Sequence, residues 1–341
     1  MRASGPDAVT SAAAMGVERP RHAVLAVLGP TATGKSALGL ALAERYGGEI
    51  VSCDSAAVYR GFDIGTDKVP LPERRGIPHH LVDVADPGEV YTAARYAGDA
   101  SAAIFAIRGR GRVPILVGGT GFYYRALTRG LFPGPGRDRG LRARLRRIAE
   151  RRGVAFLHRM VRRVDPASAA RILPGDRMRL VRALEVYFLT GRPLTSHFAE
   201  TESPLGEMPV VALGVRMPGE DLLLRIARRV DAQFEGGLLG EVRGLLASGV
   251  NEDAQPFRGL VYRQVLELLH GVRSEAATRE LIVRENRRYA RRQLIWFRKE
   301  PNLVWFEGPG ESPGTIAKVA EFCDARLADR GVRRAGEGRR S

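Results

Sequence analysis

Residues 29–36 have the types and spacing of a phosphate-binding loop. Their pattern, Gly-x-x-x-x-Gly-Lys-Ser, follows a strand-like apolar run at 23–28 and precedes a helix-like segment at 37–46. In such a loop backbone N–H groups bind an anion, the lysine adds positive charge and the serine hydroxyl reaches Mg²⁺. We therefore predict a diphosphate or triphosphate site; chance is the alternative in a chain with 40 glycines. The predicted ligands are Gly29, Pro30, Thr31, Ala32, Thr33, Gly34, Lys35 and, also for Mg²⁺, Ser36.

A carboxylate follows the next strand-like run. Residues 49–53 are followed directly by Asp54. Because the carboxyl ends of strands in an open parallel sheet face one crevice, we expect Asp54 beside the phosphate loop. There it could bind Mg²⁺ through water or accept a proton from an attacking nucleophile. A helix cap or a turn is the alternative role at this position.

A third strand-like run, residues 113–117, leads into Gly118-Gly119-Thr120. A hydrolytic P-loop enzyme usually carries a magnesium-binding aspartate at the end of such a strand. The hydroxyl of Thr120 is suited instead to hydrogen-bonding a substrate, and a plain tight turn is the alternative. His79 and His80 have no carboxylate partners at ligand spacing, so we interpret them as structural.

Positive charge is concentrated in one stretch of the chain. The formal net charge is +16, and residues 137–200 contain 16 arginines against six acidic residues. This balance favours a polyanionic partner, nucleic acid before a membrane surface. A second basic segment, residues 284–299, gathers several arginines on one side of a predicted helix; a phosphate-facing surface and a solvated helix face are both open. These arginines are Arg284, Arg288, Arg291 and Arg292.

The elements that must position these residues alternate between strand and helix over 23–130, which predicts an α/β fold with a parallel P-loop sheet. A Pro-Gly loop at 133–136 interrupts this pattern, and the apolar spacing beyond it predicts an inserted all-helical domain. A strand-like run at 210–215 returns the chain to the sheet. The predicted parts are a disordered leader, 1–20, a catalytic core, 21–136 with 205–325, a helical insertion, 137–204, and a basic disordered tail, 326–341.

Composition excludes several classes of protein. No apolar run approaches the roughly 20 residues that span a bilayer, so no membrane contact is expected. Two cysteines, Cys53 and Cys323, are too few for a metal cluster or a disulfide framework. We expect a cytoplasmic, monomeric protein.

Taken together, six segments resemble the tRNA dimethylallyltransferase family. The resemblance covers residues 23–306 in the family's order, and its most specific block is 54–66. It implies transfer of a dimethylallyl group from dimethylallyl diphosphate to N6 of an adenine in tRNA, directly 3′ of an anticodon that reads codons beginning with U. The segments are residues 29–36, 54–66, 78–83, 117–120, 176–182 and 291–298.

The resemblance also implies residue roles. Asp54 is the catalytic base, Thr120 holds the reacting groups, and the helical insertion contacts the anticodon stem. In this family an arginine follows the Met-Pro of the returning strand; here Gly219 stands there, and Arg225 is the expected substitute in diphosphate binding. Val261 replaces a usual glycine. The implied tRNA contacts are Asp54, Ser55, Ala56, Ala57, Thr120, Arg142, Met178, Arg179, Leu180, Val181, Arg182, Arg258, Tyr262 and Arg263.

Three other functions remain open at this stage. A P-loop kinase would use the same loop and would require ATP. An adenylate isopentenyltransferase would modify a free nucleotide, for which the basic insertion is unnecessary. A non-enzymatic RNA-binding module would not need the pair Lys35 and Asp54.

Overall fold

A computed structural model describes residues 23–336, with side chains to residue 326. The predicted leader, 1–20, and the last five residues of the predicted tail lie outside the described residues. One parallel sheet of six strands forms the centre, in the order β3-β2-β4-β1-β5-β6, which confirms the predicted α/β class. The strands are β1 Val24–Leu28, β2 Gly48–Cys53, β3 His79–His80, β4 Val113–Gly118, β5 Val210–Arg216 and β6 Leu303–Glu307.

Twelve helices belong to the described residues, with short 3₁₀ turns at Leu71–Arg74, Leu194–Glu200 and Pro256–Arg258. Strand β3, only two residues long, has no counterpart in the sequence-based prediction. The helices are α1 Lys35–Tyr46, α2 Ala93–Gly109, α3 Gly121–Arg129, α4 Arg139–Arg152, α5 Val154–Val164, α6 Pro166–Arg171, α7 Arg177–Thr190, α8 Gly219–Glu235, α9 Leu238–Ala247, α10 Tyr262–Leu269, α11 Glu275–Phe297 and α12 Pro313–Gly336.

The chain divides into two compact units. One combines residues up to Tyr124 with those from Met208 onward, and the other is Arg125–Glu207. In the first unit β1 and β4 are apolar and buried throughout, and β5 is buried except at its two end residues, as strands covered on both faces must be. Leu38 and Leu42 of α1 and Val319 of α12 pack in the same core. The backbone of α12 continues to Gly336, so it is helical over much of the stretch predicted as a disordered tail.

The second unit, called the helical unit below, contains α4 to α7. Aspartates start three of these helices: the side chains of Asp138, Asp165 and Asp176 each accept a hydrogen bond from a backbone N–H in the first turn. Residues 130–136 also belong to this unit, because the Phe132 ring packs 5.5 Å from the ring of His197. The unit thus begins before residue 137, where the Pro-Gly loop suggested a boundary. Its core is formed by Leu145, Leu157, Val161, Leu180, Val181 and Leu184.

Candidate active site

A cavity of about 180 Å³ opens at the carboxyl ends of β2, β3 and β4, beside the loop that follows β1. Its lining mixes charged groups with valines and an isoleucine, and every lining residue belongs to the first unit. Lys35, Ser36 and Asp54, predicted from separate motifs, meet here. The lining residues are Thr31, Lys35, Ser36, Ile50, Ser52, Asp54, Ala57, Thr66, Asp67, Lys68, Val69, His79, Val82, Val117, Gly118, Gly119, Arg229, Tyr289 and Gln293.

The loop at 29–36 requires its glycines. Gly29 has a φ of +144°, and a Cβ there would lie 2.4 Å from the carbonyl oxygen of Val215. Gly34 has a φ of +81° and immediately precedes α1, whose first residue is Lys35. This turn aims the amino terminus of α1 at the cavity side of the loop, which is the arrangement that binds phosphate groups.

Two carbonyl groups of the loop are hydrogen-bonded from outside the cavity lining. Arg225 of α8 donates from Nε to the Ala32 oxygen at 2.8 Å, and the Gly310 N–H donates to the Thr33 oxygen at 2.9 Å. Glu311 forms an ion pair with Arg225 at 2.6 Å. Arg225 therefore contacts the back of the loop and does not line the cavity, in contrast to its expected role as a diphosphate ligand.

Arg229, one turn further along α8, supplies the guanidinium that lines the cavity. Its Nη1 donates to Thr31 Oγ1 at 2.7 Å, and its Nη2 pairs with the carboxylate of Asp67. Gln233 donates to the same carboxylate at 2.9 Å. Neither Arg229 nor Asp67 was predicted as a site residue. Arg225, Arg229 and Gln233 lie four residues apart on one helix face, but this spacing does not state that the face meets the cavity.

Lys35 lies close to this guanidinium. Burial, and after it the positive charge of Arg229, lowers the pKa of Lys35 to about 7, against the opposing effect of Asp54. The ammonium donates to the carbonyl oxygen of Pro30. Burial also lowers the pKa of Arg229 to about 10, which leaves this side chain charged at neutral pH. A bound anion would relieve the repulsion between the two cations.

Asp54 and Thr120 are held by one set of backbone contacts. The Asp54 Oδ1 accepts hydrogen bonds from the N–H groups of Ala56 at 2.8 Å and Ala57 at 3.3 Å. The Thr120 Oγ1 accepts from the Ser55 N–H at 3.1 Å. Among the described residues, Asp54 Oδ2 has no hydrogen-bond partner. The turn thus fixes the carboxylate and leaves one of its oxygens available for a substrate proton or a metal ion.

Helix α11 closes the site with two residues that were not predicted as site residues. The buried Gln293 accepts from the Thr31 N–H at 2.8 Å and donates to the Gly119 oxygen at 2.9 Å, so it connects the phosphate loop to the loop after β4. Tyr289 also lines the cavity, and burial raises its pKa to about 12. The arginines of the basic segment, among them Arg284 and Arg291, are exposed.

The donor set of the cavity fits a small, hard cation. The Ser36 hydroxyl and the Asp54 carboxylate both line the cavity, and oxygen donors are the ligands Mg²⁺ prefers. Over the part of the chain that the structure describes, no group of three histidine, cysteine or acidic side chains is placed to hold a metal ion. A magnesium ion here would therefore take its remaining ligands from substrate and water.

Three predicted tRNA contacts of the first unit lie around α10. Arg258 is exposed, with a side chain 71% accessible, and Arg263 pairs with Glu285 at 3.0 Å. Tyr262 is instead buried, donates to Glu241 at 2.6 Å and accepts from the Gly65 N–H at 3.0 Å, which makes it a packing residue. Val261 has a φ of +74°, a conformation that glycine adopts without strain and a β-branched residue rarely does.

The predicted contacts of the helical unit separate into two groups. Met178 and Arg179 are exposed at the start of α7. Leu180 and Val181 are buried in the core of the unit, so their side chains are not available to an RNA, contrary to the prediction.

Two further predicted contacts, Arg142 and Arg182, converge on one buried carboxylate. Arg142 donates from Nε and Nη2 to Glu185 at 2.7 and 2.8 Å, and Arg182 donates from Nη1 at 2.7 Å. The Glu185 side chain is fully buried, whereas those of Arg142 and Arg182 are 19% and 28% accessible. Both guanidiniums are therefore tied to the interior of the helical unit.

Sequence comparison identifies relatives along nearly the whole chain. A family model described as IPP transferase matches residues 57–300. The tRNA dimethylallyltransferase of Solibacter usitatus is 49% identical over 306 residues, which are 88% of this chain and 98% of that protein. The tRNA dimethylallyltransferase of Geobacter sulfurreducens is 46% identical over 294 residues, 85% of this chain and 94% of that protein.

Solved structures have the same architecture. The full-length tRNA isopentenylpyrophosphate transferase from Bacillus halodurans superposes with a TM-score of 0.68 at 35% identity, covering 92% of this chain and 99% of that one. A eukaryotic dimethylallyltransferase acting on tRNA superposes with a TM-score of 0.69 at 28% identity, covering 83% of this chain and 73% of that one.

Proposed function

Because the chain belongs to the tRNA dimethylallyltransferase family and is a tRNA-modifying prenyltransferase, we propose that it transfers the dimethylallyl group of dimethylallyl diphosphate to N6 of the adenine directly 3′ of the anticodon. The substrate tRNAs are those that read codons beginning with U. The observation that carries the proposal is the meeting of a phosphate loop and an unpaired carboxylate oxygen in one cavity. We place the reaction in the cytoplasm, where tRNA is available.

The phosphate loop binds the leaving group in this proposal. The C1–O bond of the allylic diphosphate breaks, the N6–C1 bond forms, and inorganic diphosphate leaves with the electron pair of the broken bond. Lys35, Arg229 and the N–H groups at the start of α1 stabilise the negative charge that develops on the diphosphate. Magnesium held by the Ser36 hydroxyl would neutralise part of the same charge.

Asp54 accepts the proton that N6 loses. An exocyclic amine is a weak nucleophile, so removal of its proton favours the transfer. Asp54 Oδ1 is fixed by two backbone N–H groups, which leaves Oδ2 for the amine. Thr120, bound to the Ser55 N–H, keeps its hydroxyl beside this turn and orients the adenine. An unpaired loop adenine can be unstacked into such a cavity at modest cost.

The arginines of the helical unit provide the surface for the tRNA backbone. Sixteen arginines against six acidic residues over 137–200 give it a positive field. The exposed Arg179 on α7, and Arg258 in the first unit, are available to phosphate oxygens. Such contacts position the RNA and do not read its sequence.

The test is transfer from radiolabelled dimethylallyl diphosphate to tRNA with ATP omitted. Asp54→Asn keeps the shape of the side chain but removes the base, so kcat should fall on the order of 10²–10⁴-fold while inorganic diphosphate binds normally. Asp86→Asn, at an exposed aspartate paired with Arg60, is the matched control. Wild-type turnover in Asp54→Asn would remove Asp54 from the mechanism, and a requirement for ATP would favour a kinase.

A further inference from the structure

Part of the cavity lining is apolar and comes from segments outside the phosphate loop, next to polar lining residues such as His79. Val69 and Val82 form this part together with Ile50 of β2, a strand separated from β1 by β4 in the sheet. Ile50 is 4% accessible and belongs to the core, and Val69 packs against the same core. These side chains therefore offer an apolar surface to whatever is attached to the diphosphate.

Left-handed backbone conformations place both valines. Leu81 and Asp83, on either side of Val82, have φ values of +61° and +60°, and Asp67, two residues before Val69, has a φ of +50°. A non-glycine residue in this region is strained and persists only where the surrounding structure imposes it. Three of them next to two cavity-lining valines indicate that the positions of these valines are specified.

Lys68 fixes the two segments to each other. Its ammonium pairs with Asp63 at 2.6 Å and with Asp83, and it donates to the Tyr59 oxygen at 2.6 Å. The Lys68 side chain is 4% accessible, so this connection is buried. Val69 follows Lys68 and Val82 precedes Asp83 in the chain. The ion pair between Lys68 and Asp83 therefore holds the two valines in place, and they cannot easily move apart.

The volume of the cavity limits what fits against this surface. A cavity of about 150 Å³ holds one benzene molecule, which has six carbons. The 180 Å³ here is of the same order, so a short branched group attached to the diphosphate matches its size. We infer that Val69 and Val82 form an end wall that selects a five-carbon prenyl group by length. This inference rests on the proposed function.

The experiment compares dimethylallyl diphosphate with its homologue carrying one more methylene, 3-methylpent-2-enyl diphosphate, on tRNA. The wild type should prefer the five-carbon substrate by about tenfold or more in kcat/KM, the usual value of one methylene in a tight apolar site. Val82→Ala and Val69→Ala should each lower that preference by about tenfold, and the double variant should begin to use geranyl diphosphate. Val90→Ala, at a valine that is 60% accessible, is the matched control and should keep the wild-type preference.

Binding of inorganic diphosphate, measured by calorimetry, shows whether each variant retains its phosphate loop. Val82→Phe provides the opposite change: it should lose the five-carbon substrate and still bind inorganic diphosphate. An unchanged preference in both alanine variants, with normal diphosphate binding, overturns the end wall but leaves the proposed function intact. A wild type that transfers no dimethylallyl group to tRNA overturns the proposed function instead.

Discussion

Replacing Glu185 with glutamine removes the negative charge that Arg142 and Arg182 share in the helical unit. Burial by itself would raise the pKa of Glu185, but hydrogen bonds from the two guanidiniums and from the Asp138 N–H outweigh it and lower the pKa to about 2. Relative to the ordinary value of 4.5, this shift corresponds to about 3 kcal/mol of stabilisation of the folded state at neutral pH. Glu185→Gln should therefore cost the helical unit about 3 kcal/mol at pH 7.

The sign of the pH dependence follows from the lowered pKa. The stabilisation is fully present above about pH 4.5 and is lost as the pH falls through the folded value near 2. The difference between wild type and Glu185→Gln should thus be constant from pH 7 to pH 5 and become smaller at pH 3. Hydrogen exchange of peptides from 139–190 measures this unit by itself. A difference below about 1 kcal/mol at pH 7, or one that does not shrink at pH 3, would refute the reasoning.

Two further predictions concern charge. Arg179→Ala should raise the KM for tRNA and reduce the slope of log affinity against log salt by about one contact, without affecting stability. Arg182→Ala should also destabilise the helical unit, because it leaves part of Glu185 unpaired. Equal thermal stability of the two variants would contradict this assignment. In the wild type, the affinity for inorganic diphosphate should fall by up to about tenfold per pH unit above pH 7, because Lys35 must take up a proton to pair with the anion. Calorimetry on Lys35→Ala should show weaker binding without this extra pH dependence. Parallel pH profiles of the two proteins would exclude Lys35 as the group that causes it.

Local patterns were sufficient to predict the parts of the site that the chain forms with neighbours in sequence. The phosphate loop lies between its strand and its helix, so its eight residues contain the whole signal. Asp54 and Thr120 follow β2 and β4, and parallel strands bring their carboxyl ends to one edge. The α/β class followed from the same alternation.

Residues that reach the cavity from distant elements gave no such signal. Gln293 bonds Thr31 across 262 positions of the chain, and Arg229 bonds it across 198. Nothing in the spacing of α8 or α11 states which face of the helix meets the sheet. Leu180 and Val181 were predicted as tRNA contacts from a motif aligned on arginines, although Val181 shares an apolar helix face with Leu184. Such a motif says nothing about which of its residues form the core of the helical unit.

The charges of the cavity show why a chain this basic can fold around an anion site before the anion arrives. Asp67 pairs with Arg229, and burial lowers the pKa of Lys35 to about 7, so part of the positive charge is neutralised or absent in the folded protein. Diphosphate reverses this, because its negative charge favours protonated Lys35 and attracts Arg229. The free energy needed to hold two positive charges close together is therefore required mainly when the ligand binds. Because the free site holds Lys35 with a pKa near 7, loss of the lysine proton favours the release of inorganic diphosphate as the pH rises above neutral.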